Sequence, residues 1–154
     1  MSPVPPRMPS RRSRSDNIAR HVLAVAATAD GGQLLLLAEH NTGAVSVCRA
    51  RSWPATAPRG AVLAAVGSAY HTAAAQAPTA VHLAVSGRAG SLSALVRRAV
   101  GPLATITTHQ ATVSGWRAVA RLGLAGLGLD PAEDPEHVDV LAERAATRTA
   151  DGRI

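Results

Sequence analysis

Between His21 and Ala50 three short apolar runs follow one another with only tight turns between them, and no other feature restricts the fold of this chain as strongly. Val22 to Thr28 is apolar at consecutive positions, the pattern of a strand covered on both faces in the middle of a sheet. Asp30-Gly31-Gly32 reads as a turn, Leu34 to Glu39 as a second strand and Asn41-Thr42-Gly43 as a second turn. Ala44 to Ala50 reads as a third strand with Val45 and Val47 on one face. Parallel neighbours need long crossovers, so connections this short imply an antiparallel three-stranded meander.

The pattern then changes to an alternation of helix and strand. Trp53-Pro54 to Pro58 reads as a linker, and residues 60 to 76, rich in Ala and broken only by Gly67, as a buried helix. Val81 to Ser86 is strand-like, Ser91 to Val100 is helical, and Leu103 to Thr108 is a β-branched strand. In the helix Leu92, Leu95, Val96 and Ala99 share a face and leave Arg97 and Arg98 opposite. Gly115 to Leu127 is a weaker helix because of Gly123, Gly126 and Gly128, with Arg117 and Arg121 on one face and Trp116, Val119, Ala120 and Leu127 on the other. The last helix is better marked: Asp134 suits the N-cap, Pro135 the first helical position, and Val138, Leu141, Ala142 and Ala145 form the apolar stripe. The expectation is one α/β domain over residues 18–150, with a mixed sheet in the order βββαβαβ followed by C-terminal helices. Residues 1–17, rich in Pro, Ser and Arg, read as a disordered basic tail, and residues 151–154 as a short C-terminal tail.

This order resembles the ribonuclease H type 1 family, and two local motifs strengthen the resemblance. Thr28-Ala29-Asp30-Gly31-Gly32, at the end of the first strand, is similar to the family motif that carries its first metal-binding Asp. The segment from Pro135 to Ala146 (PEHVDVLAERAA) is similar to the family's C-terminal helix and places Asp139 on the fourth metal-binding carboxylate. The resemblance implies a ribonuclease H-like fold and, for an intact site, endoribonuclease action on RNA/DNA hybrids with two Mg²⁺ ions. Two hard dications held side by side need several carboxylates, yet no Asp or Glu occurs between Glu39 and Asp130. The helix over 60–76 offers Tyr70, His71 and Gln76 where the family has a Glu, and Ser86-Gly87 stands near its second Asp. The remnant Asp30 and Asp139 would hold at most one weakly bound Mg²⁺ or Mn²⁺, and their alternative roles are a turn residue and a helix-surface residue. His109, after the fifth strand, falls where the family often has a loop His that assists product release; a loop His without a role is the other reading.

Charge points to the partner. All 16 basic residues are Arg, against 10 acids, for a formal net charge of +6. Eight of them lie between Arg49 and Leu129 without one acid, and Arg88, Arg97, Arg98, Arg117 and Arg121 are the candidates for phosphate contacts to an RNA/DNA hybrid or duplex. A high-GC codon bias accounts for the missing Lys equally well, but codon bias does not arrange charge along a chain. Cys48 is alone, which excludes an intramolecular disulfide and a Cys-based zinc site and points to a reducing, cytoplasmic compartment. The six His show no i, i+4 pair and are read individually as surface or hydrogen-bonded residues. No apolar run reaches the roughly 18 residues that span a bilayer, and Asp16, Asn17, Arg20 and His21 break the approach to the only stretch with the outline of a leader. Three functions follow: a nucleic-acid-binding protein with absent or strongly reduced hydrolysis, a scaffold that pairs with itself or a protein partner, and an active ribonuclease H with an unusual ligand set.

Overall fold

The computed structural model describes residues 17–86, 90–111, 113, 115–149 and 154. Five strands and four helices follow in the order β1 (Ile18–Thr28), β2 (Gly31–His40), β3 (Val45–Pro54), α1 (Arg59–Ala74), β4 (Thr79–Val85), α2 (Gly90–Val100), β5 (Ile106–Gln110), α3 (Trp116–Gly126) and α4 (Pro135–Thr149). The strands make one open mixed sheet in the order β3-β2-β1-β4-β5. The meander pairs are antiparallel, while β4 lies parallel to β1 and β5 parallel to β4. Most of the basic tail, together with Arg88 and residues 151–153, lies outside the described residues; Asn17 is within them, and its carbonyl accepts a 2.9 Å hydrogen bond from the Asn41 amide.

The consecutive apolar residues of β1 are explained by two cores, one on each face of the sheet. Leu23 and Val25 point with Leu34, Leu36, Val81 and Leu83 toward α1 and α2, where Val62, Val66, Ala69 and Val96 meet them. Val22, Ala24 and Ala26 point with Leu35, Leu37 and Ala84 toward α3 and α4, where Val119, Leu124, Val138 and Leu141 meet them. Successive side chains of a strand point to opposite faces, so a central strand with helices on both sides is apolar at consecutive positions along its buried stretch.

The second face is paved with Ala, and α3 sits close to it. A Cβ at Gly123 would lie 2.6 Å from Cδ1 of the fully buried Leu37, and one at Gly126 would lie 2.8 Å from Cδ2 of His82. The glycines that weaken α3 as an isolated helix are thus the positions at which it touches the sheet. In α4 the sequence expectation holds in detail: Oδ1 of Asp134 accepts the His137 amide at 3.0 Å, and Pro135 opens the helix.

Three local expectations are corrected. The β1–β2 turn consists of Ala29 and Asp30, and Gly31 and Gly32 already belong to β2. Their lack of a side chain makes room for Trp53, because a Cβ at Gly31 would run into the Trp53 carbonyl and one at Gly32 into the indole ring. For the same reason Trp53 is no linker residue: it is buried at the end of β3, opposite Gly32. The fifth strand starts at Ile106, not Leu103, which is 98% exposed. Gly101 turns the chain with φ of 91°, and Nη1 of Arg97 bonds the carbonyls of Gly101 at 2.9 Å and Ala104 at 3.0 Å. That clamp keeps residues 101–104 folded back on α2, and pairing with β4 begins only beyond it.

Candidate nucleic-acid interface

The end of the sheet where β1 finishes is the region to which the sequence motifs point. Asp30 occupies the exposed β1–β2 turn, its carbonyl accepting the Ala55 amide at 2.8 Å. It borders a shallow depression of about 370 Å³ with Gln33, Ser52 and Gly115, and Asp139 does not line that depression. On α4, Oδ1 of Asp139 is 2.8 Å from Nε of Arg117, with the two side chains 56% and 57% exposed. β4 ends at Val85 and is followed by the exposed, neutral Ser86. Among the described residues no group of three or more His, Cys, Asp and Glu could hold a metal. One free carboxylate in a solvated turn and one neutralised by arginine do not fit a pair of Mg²⁺ ions, which need oxygen ligands from several acids.

The arginines separate into distinct environments. Arg97 is used by the fold, as the clamp on residues 101–104, and Arg117 by its ion pair with Asp139. Arg98 borders a groove of about 350 Å³ between α1 and α2, which Arg59, Leu63, Ala94 and Leu95 also line. A second depression of about 270 Å³ shares Arg59 and Leu95 and runs on to Thr28 and Ala29 at the end of β1. Among the described residues no acid lines either part. Arg59 is also the first residue of α1, a helix whose N-cap, Pro58, provides no side-chain acceptor and whose first turn holds no acid. The partial positive charge of that helix end therefore adds to the two guanidinium groups.

No family model matches the chain, and no curated protein is similar to it. Arg121 is exposed on α3, on the face of the sheet opposite α2, so Arg98 and Arg121 address different sides of the molecule. Arg59 was not singled out from the sequence; its position directly after Pro58 at a helix start was the available signal.

The histidines are the residues that sequence reading placed least well. His109 is not in a loop: it lies within β5, and its Nε2 is 2.9 Å from Nδ1 of His82 on β4. Burial, then the neighbouring His109, holds the His82 imidazole below the usual histidine pKa. His21, at the start of the buried part of β1, is also lowered, first by burial and then by His40. Its Nδ1 is buried and has no hydrogen-bond partner among the described residues.

Proposed function

We propose that this chain is a ribonuclease H-like nucleic-acid-binding protein that holds an RNA/DNA hybrid or duplex by its phosphates and hydrolyses it slowly or not at all. The observation that carries this reading is the groove lined by Arg59 and Arg98, with no acid among its described lining residues, which continues to the end of β1. Two guanidinium groups and a helix start without a side-chain cap attract phosphodiesters and supply affinity without reading sequence. The open mixed sheet with helices on both faces is compatible with the ribonuclease H-like fold. Hydrolysis of a phosphodiester by two metals needs one ion to activate water and another to stabilise the leaving oxygen. With no group of three or more candidate ligands among the described residues, the remnant Asp30 and the Arg117-paired Asp139 leave at most one weakly held Mg²⁺ or Mn²⁺ to this reading.

The test is fluorescence anisotropy with a labelled RNA/DNA hybrid and a labelled DNA duplex over a range of salt. Binding is expected to fall steeply with salt, and the Arg59→Ala/Arg98→Ala variant to weaken it evenly across sequences and to lower the log–log salt slope by about two. An unchanged slope in that variant would remove the groove from the interface. In the same samples Mg²⁺ or Mn²⁺ should give no cleavage of the hybrid, or cleavage several orders of magnitude slower than an intact two-metal site supports. Robust metal-dependent cleavage that disappears in Asp30→Asn would restore the reading as an active nuclease.

A second reading, a scaffold that pairs with itself or with a protein partner, is favoured by one observation: Leu103 is 98% exposed beside β5, which forms one edge of the sheet. A monomer in sedimentation at tens of micromolar would dispose of self-pairing.

A further inference from the structure

We propose that His82 and His109 form a two-histidine binding site for a divalent transition-metal ion of the zinc, nickel or copper class. The proposal is independent of the phosphate groove, since the pair lies on the other face of the sheet, among the residues that pack against α3.

The register of β4 and β5 positions the two side chains. His82 stands opposite Thr107 and Ala84 opposite His109, so both imidazoles leave the same face one step apart on neighbouring strands. The rings are inclined by 25° with centroids 5.2 Å apart, and Nδ1 of His82 faces Nε2 of His109 at 2.9 Å. Two nitrogens bound to one tetrahedral zinc stand about 3.3 Å apart, so the ion requires roughly 0.4 Å of opening and a turn of roughly 35° of each ring, which swings the lone pairs from facing each other to converging on the metal. The backbone of α3 limits how far His82 can turn away, because a Cβ at Gly126 would lie 2.8 Å from its Cδ2 and 3.0 Å from its Nε2.

Only a neutral imidazole has a lone pair to give a metal. At the 2.9 Å separation one of the facing nitrogens donates its proton to the other. When a cation enters, the donor ring carries its proton on the opposite nitrogen instead, so both facing lone pairs become ligands and no net proton is released. An imidazole-only donor set selects borderline transition metals over Mg²⁺, Ca²⁺ or Mn²⁺, which require oxygen. No third His, Cys, Asp or Glu among the described residues completes the shell, so water or an external group fills the remaining positions.

The experiment is a titration of the full chain with Zn²⁺, and separately with Mg²⁺, followed by NMR of the histidine rings. One equivalent of Zn²⁺ is expected to shift His82 and His109 together while His71 and His137 stay in place, and Mg²⁺ to shift neither. His82→Gln and His109→Gln should each weaken zinc binding at least tenfold, and His71→Gln should leave it unchanged. Electron paramagnetic resonance with Cu²⁺ provides an independent readout, with coupling to two ring nitrogens in the parent protein and to one in His109→Gln. Unmoved His82 and His109 resonances at one equivalent, unchanged affinity in His109→Gln, or the same nitrogen count in both copper spectra would overturn the proposal.

Discussion

Replacing Gly123 and Gly67 by Ala, one at a time, separates helix propensity from packing in this fold. Each glycine lies inside a helix, Gly67 in α1 and Gly123 in α3, so in isolation each substitution should stabilise by about 1 kcal/mol. At Gly67 the new methyl would lie 3.4 Å from the Ala99 carbonyl oxygen and 3.9 Å from its Cβ, near ordinary contact distances. Most of the gain should survive, as a rise of about 3 °C in the thermal midpoint of a domain this size. At Gly123 the methyl would lie 2.6 Å from Cδ1 and 3.4 Å from Cγ of Leu37. Carbon atoms pack at about 3.5–4.0 Å, so α3 or Leu37 must retreat by roughly 1 Å, and Leu37 is fully buried with no space to receive it. Overpacking of this kind costs about 1–3 kcal/mol, which leaves a net destabilisation of about 0–2 kcal/mol. A double-mutant cycle sharpens the test. Leu37→Ala alone should cost about 2–5 kcal/mol, and in its background Gly123→Ala should turn stabilising, because the methyl then enters the space that Leu37 vacated. Urea denaturation of the four proteins measures all the terms. Gly123→Ala stabilising as much as Gly67→Ala, or the same effect of Gly123→Ala with and without Leu37, would refute the close approach of α3 to the sheet.

Two further outcomes are expected. His21 and His82 take up protons less readily in the folded chain than when unfolded, so the stability they contribute is complete above the unfolded value of about 6.5 and is lost as pH falls from there through their depressed folded values. The urea midpoint should therefore drop between about pH 7.5 and about pH 5, less so in His82→Gln; a flat profile would count against burial of these rings. Removal of residues 1–16 should leave the thermal midpoint nearly unchanged, because that segment has no apolar pattern to bury and β1 begins at Ile18. A large fall would extend the domain into the tail.

By itself the sequence determined the order of the elements, the depth at which β1 is buried and the cap that starts α4. These are written in local patterns: apolar residues at consecutive positions from Val22 to Ala26, or an Asp before a Pro, act within a few residues of themselves. The absence of acids between Glu39 and Asp130 was equally legible. Only the tertiary structure decided that Gly31 and Gly32 clear a space for Trp53, that Arg97 bonds the turn before β5, and that Arg117 pairs with Asp139. It also separated Arg98 and Arg121 onto opposite faces and brought His82 to His109 across 27 residues of chain. Contacts of this kind depend on which strands become neighbours and in what register. A parallel pair joined through a helix carries no local mark of its register, because that register is set by how α2 and the residues after it pack on the sheet, a property of the whole core rather than of any short segment.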